Sequence, residues 1–122
     1  MQESVKLIVA GSRTFNDEKF LFEVLDSIQG PIVEIVSGNA EGADKLGEKY
    51  AKARGIDLVI FPANWKKHGK AAGPIRNEKM AKYANAAVVF WDGKSTGSQN
   101  MIRLMENNNK WCLRVTYDSK DA

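Results

Sequence analysis

A single cysteine and a single histidine stand among the 122 residues of this chain. Cys112 alone excludes an intramolecular disulfide and a cysteine-built zinc cage, and it fits a reducing compartment. His68 lacks Cys or His partners for a metal, so no metal site is expected. No G-x-S-x-G elbow accompanies it, which argues against a Ser-His-Asp hydrolase. Both G-x-G-x-x-G and the Walker A pattern are missing, which argues against an ordinary NAD enzyme or a P-loop ATPase. No apolar run approaches the ~20 residues of a membrane span. Val5 to Ala10 is too short for a secretory h-region, so the expected location is cytoplasmic with no membrane partner.

What the chain has is 43% hydrophobic residues, enough for one globular domain spanning 1–122 without a disulfide staple. Its net charge of +3 is unevenly spread. Between Asn64 and Lys82 stand Lys66, Lys67, Lys70, Arg76, Lys79 and Lys82 against Glu78 alone, so the remainder is net acidic. Such a segment suits an anionic partner, although lysines are also ordinary solvated surface.

Apolar runs and amphipathic stretches alternate from end to end. Val5–Ala10 and Ala86–Trp91 read as buried strands, Ile32–Val36 and Leu58–Phe61 as the second and third strands, and Trp111–Tyr117 alternates as an edge strand with one covered face. Between them, Asn16 is the expected cap of a first helix bearing Phe20, Val24 and Ile28. Ala43, Leu46, Tyr50 and Ala53 mark a second helix ending at Gly55, with Gly47 permitting close packing. Gly73-Pro74 opens a third, with Pro74 first. Thr96 and Gln99 have capping-box spacing for a fourth, which carries Met101 and Met105. The pattern predicts an α/β, Rossmann-like three-layer sandwich whose five-stranded parallel sheet has the order 3-2-1-4-5. Strands 1 and 4 then flank the switch point where ligands bind.

Polar, glycine-bearing loops follow four of these strands. Gly11-Ser12-Arg13 offers a close-approach glycine, a hydroxyl and a cation, although Arg13 would serve equally to pair with a helix-terminal carboxylate. Ser37-Gly38 through Gly42 makes a tight strand-to-helix turn. Asp44 sits in the next helical turn, where helix stabilisation explains it as well as ligand contact does. Trp65 and His68 suit stacking on a base, or merely line a flap. Asp92-Gly93 leads into Ser95, Gly97 and Ser98, the strongest phosphate cradle, where a helix start supplies free amides. An ordinary well-capped helix is the bland alternative.

Taken together these residues resemble the SLOG superfamily, the Rossmann-like group that includes the LOG nucleotide phosphoribohydrolases and the Smf/DprA DNA-processing proteins. The resemblance is carried by Gly11-Ser12-Arg13-Thr14-Phe15 and by Ser37-Gly38-Asn39-Ala40-Glu41-Gly42-Ala43-Asp44. It continues through Phe61-Pro62-Ala63-Asn64-Trp65, Gly69 to Met80 and Phe90 to Ser98. It is nearest to small single-domain proteins of bacteria and phages, of the YspA/YpsA-like type. It implies a nucleotide-like ligand over the strand ends, bound by a sensor or sequestering protein, at a site that includes Arg76 and Asn77. LOG enzymes cleave a nucleotide N-glycosidic bond with an arginine and a glutamate. Arg76 and Met80 match the arginine motif, but Met101 falls at the glutamate position, and methionine can be neither base nor cation stabiliser. An enzyme reading therefore rests on Arg76 with a relocated carboxylate such as Glu78, Asp44 or Asp92. DprA-like single-stranded DNA binding is the remaining alternative. The resemblance also implies a homodimer, for which Trp111, Tyr117 and the Met101/Met105 helix offer apolar surface, and no cofactor.

Overall fold

The computed structural model describes residues 4–117, so both ends of the expected 1–122 domain lie outside the described residues. Strands β1 (Val5–Gly11), β2 (Ile32–Ser37), β3 (Asp57–Ile60), β4 (Ala86–Trp91) and β5 (Trp111–Thr116) form one sheet in the order β3-β2-β1-β4-β5. All four pairings are parallel, and β1 and β4 are adjacent, with Leu7 opposite Ala86 and Gly11 opposite Phe90. This is the Rossmann-like α/β arrangement and strand order that the alternating pattern predicts.

Helices α1 (Glu18–Asp26), α2 (Ala43–Arg54), α3 (Trp65–His68), α4 (Ala72–Tyr83) and α5 (Thr96–Asn107) join the strands, and a 3-10 turn at Gly69–Ala71 leads into α4. The two sides of β1 and β4 build two cores, because side chains alternate across a strand. Leu7, Val9, Val88 and Phe90 pack with Leu21 and Leu25 of α1 and Tyr50 of α2. Ile8, Ala10, Ala87 and Val89 pack with Met80 of α4 and with Met101 and Met105 of α5. Gly47 has the role expected of it. A β-carbon there would stand 2.7 Å from Val9 Cβ, so only glycine lets α2 lie this close to the sheet.

Several local expectations shift. Asp17, not Asn16, caps α1, its Oδ1 accepting from the Phe20 amide at 3.1 Å. Ser95, not Thr96, caps α5, accepting from the Ser98 amide at 3.3 Å. Helix α4 begins at Ala72, which makes Pro74 its third residue, still within the first turn whose amides need no helical acceptor. The basic stretch before it contains α3, capped by Asn64. Met101 and Met105 are buried inside this fold, and Tyr117 packs edge-on against Phe15 at 4.9 Å. Neither the methionines nor Tyr117 therefore supplies the apolar surface that was expected of them. Trp111, 52% exposed on the sheet's edge strand, does.

Candidate functional site

The loops leaving the C-terminal ends of β1, β2 and β4 are bonded to one another at the switch point. Ser12 is buried there; its amide donates to the Phe90 carbonyl at 2.9 Å, and its Oγ accepts from the Asp92 amide at 3.2 Å. Gly11 and Gly42 permit this crossing. A β-carbon on Gly11 would lie 2.3 Å from the Phe90 carbonyl oxygen. One on Gly42, whose φ is +86°, would lie 2.3 Å from that of Ser12. Close backbone approach is thus what these two glycines serve, Gly11 against strand β4 and Gly42 against the loop after β1.

Above this junction opens a cleft of about 620 Å³. Gly11, Ser12 and Arg13 form one wall; Ser95, Gly97, Ser98 and Asp92 form another; Arg76, Asn77, Asp44 and Trp65 close it from α4, α2 and α3. Gly38 lines an adjoining cavity of about 220 Å³, which shares Arg13, Ala40, Trp65 and Arg76 with the main cleft. Ser37, Gly42 and Gly93 line neither. Ser37 is buried and bonds to Glu48 Oε2 at 2.7 Å, while Gly93 supplies a positive-φ turn at +84°. Glu78 is exposed and also lines neither cavity.

Arg76 reaches across from α4. Its Nη1 donates to the Gly38 carbonyl at 2.6 Å and its Nε to Asn77 Oδ1 at 2.9 Å. Asn77 in turn donates to Asn100 Oδ1 at 3.0 Å, fixing α4 to α5. Burial lowers the Arg76 pKa, Asp44 opposes that shift, and neighbouring Arg13 adds to it. Asp44 is buried, and removal from water raises its carboxyl to about 6. The Ala40 amide, 3.4 Å from Oδ2, and the charge of Arg76 offset that only in part. Among the described residues neither Arg13 nor Arg76 is in a salt bridge.

At the start of α5, Asp92 Oδ1 accepts from the amides of Lys94 and Ser95, both at 2.9 Å, which holds its carboxyl below the usual range. The Ser98 amide is taken by Ser95. The Thr96 and Gly97 amides meet no acceptor among the described residues. They are the free donors of a helix N-terminus, directed where an anion gains from both hydrogen bonds and the helix dipole.

Sequence reasoning missed Lys70, Asn100 and Met101 as cleft-lining residues. Lys70 was visible only as part of a charged stretch. Met101 falls three residues after Ser98, on the same helical face, and that spacing is the signal that would have found it. Its thioether is buried. Among the described residues no group of three or more His, Cys, Asp or Glu side chains is placed to hold a metal ion.

The architecture and site together define a Rossmann-like protein with a cationic cleft at the switch point of its sheet. Residues 5–68 match the model of the YspA, cpYpsA-related SLOG family (YAcAr), and the chain belongs to that family. It is 29% identical over 107 residues to the Gene 61 protein of Mycobacterium phage D29, covering 80% of this chain and 86% of the phage protein. Its fold is similar to that of DNA processing protein A (DprA) from Streptococcus pneumoniae, with a TM-score of 0.75 at 18% identity. That match covers 90% of this chain but only 50% of the DprA chain, so the protein spans half of its structural relative. No helix among the described residues is long and apolar enough to cross a membrane.

Proposed function

We propose that the cleft binds a nucleotide or nucleotide-derived small molecule, and that the protein acts in the cytoplasm as a sensor or sequestering protein. The observation that carries this reading is the meeting, in one cleft, of two arginines outside any described salt bridge with the unbonded Thr96 and Gly97 amides. A phosphate seated there accepts from those amides, from the Ser98 hydroxyl and from Arg13 or Arg76. Charge-assisted hydrogen bonds contribute about 1.5–3 kcal/mol each. Arg76→Ala therefore weakens binding of a nucleoside monophosphate by roughly 10- to 150-fold. Lys66→Ala and Lys67→Ala, exposed and outside both cavities, change it far less. Calorimetric titration of the three variants at two salt concentrations tests this. Single-stranded DNA binding reverses the ranking, because distributed lysines then each neutralise a phosphate.

A second reading is favoured by Asp44, a buried carboxyl in the same cleft raised to about 6. That value suits a group exchanging protons near neutral pH, so Asp44 is the relocated carboxylate if the protein is a nucleotide N-glycosidase. Release of free base from nucleoside monophosphates, abolished in Asp44→Asn, supports the enzyme; no release from any of them sinks it. We further propose a homodimer formed through the β5 edge at Trp111. Sedimentation showing only monomer at micromolar concentration overturns that assembly.

A further inference from the structure

The adjoining cavity of about 220 Å³ differs chemically from the main cleft. The main cleft contains the start of α5 and its hydroxyls; the smaller one is walled by Pro62 and Ala63 of the segment after β3 and by residues Gly38–Glu41. Arg13, Arg76 and Trp65 stand on the boundary and line both. Trp65 is 52% exposed although it sits within the fold's concave edge. Its helix is capped by Asn64, which accepts from the Lys67 amide at 3.1 Å, and its indole borders Gly73. An exposed aromatic beside a small, partly apolar chamber is the arrangement that stacks a planar ring.

Glu41 lines the smaller cavity and brings to it a carboxylate that can accept from the amino or imino N–H of a heteroaromatic ring. The chamber's volume, about 220 Å³ against about 620 Å³ for the main cleft, suits the smaller part of a nucleotide.

We propose that this chamber is the base subsite of the site described above: a nucleobase stacks on Trp65 with its N–H edge toward Glu41, while Arg13 and Arg76 at the boundary face the phosphate in the main cleft. This rests on the nucleotide reading and adds to it that the ligand is recognised through its base.

The test compares adenosine 5′-monophosphate with ribose 5-phosphate on the parent protein and on Trp65→Ala, Trp65→Phe and Arg76→Ala. Stacking strengths of this kind predict that the parent prefers the nucleotide by roughly 5- to 150-fold. Trp65→Ala removes that preference and leaves ribose 5-phosphate affinity unchanged, whereas Trp65→Phe, which keeps a ring, retains most of it. Arg76→Ala weakens both ligands alike. If Trp65→Ala lowers both affinities equally, or neither, the base subsite is wrong while the phosphate reading stands. If the parent binds neither compound, both readings fall together. Affinity that instead grows with oligonucleotide length also overturns the subsite, in favour of a nucleic-acid groove.

Discussion

The Arg76 guanidinium is bonded to the Gly38 carbonyl at 2.6 Å, across 38 residues of sequence, and Gly38 is what makes room for it. A β-carbon at Gly38 would lie 2.6 Å from Arg76 Nη1 and 2.9 Å from Asp44 Oδ2. This glycine thus sets the spacing between the cleft's buried acid and its most constrained cation.

Gly38→Ala is expected to push the guanidinium out of its seat. The atoms the added carbon meets are the ends of the Arg76 and Asp44 side chains rather than backbone, so the fold gives way cheaply, by about 0.5 kcal/mol or less. Chemical denaturation should show little loss, while calorimetry should show nucleotide affinity falling toward that of Arg76→Ala. An alanine variant that binds as the parent does would mean that Arg76 is not positioned through Gly38.

Asp44 makes stability depend on pH with a definite sign. Its carboxyl is raised from 3.8 to about 6, so the folded state holds a proton that the unfolded state has already released. Stability from this group is full below pH 4 and falls as pH rises through 6. Asp44→Asn removes the titration. Its stability should exceed the parent's by up to ~3 kcal/mol at pH 8 and converge with it near pH 4. Urea denaturation across that range checks both the slope and its loss.

Gly47 and Gly97 are both helical glycines, yet alanine should act oppositely at the two. At Gly47 the added carbon meets Val9 at 2.7 Å, and the expected loss of about 1–3 kcal/mol outweighs the ~1 kcal/mol gained in helix propensity. At Gly97 nothing lies within 4 Å, so the variant should be as stable as the parent or slightly more so. Thermal melts of the pair decide it.

Ser95→Ala should cost α5 its cap, about 1 kcal/mol, because the Ser98 amide then loses its acceptor. Thr96→Ala, one residue on, should be within about 0.5 kcal/mol of the parent. Equal losses in the two variants would restore the T-x-x-Q capping box that the spacing alone suggests.

The sequence by itself determined the sheet and its helices. Strand periodicity and continuous apolar runs are local properties, and a five-fold alternation of strand and helix leaves few ways to cover both faces of a parallel sheet. It left the caps uncertain by one residue, because Asn16 and Asp17, like Ser95 and Thr96, have nearly equal capping chemistry and only backbone geometry chooses between them. The cleft was legible as a set of loops, and most of the residues named from those loops do line it. The duty of each residue was not legible. Gly11 and Gly42 are glycines because other stretches of backbone lie against them, and Asp44 is a high-pKa acid because burial removes its water. Met101 and Met105 lie inside rather than outside because α5 turns that face to the sheet. Each of these depends on the distance between residues that the chain itself keeps far apart, and folding alone brings them together.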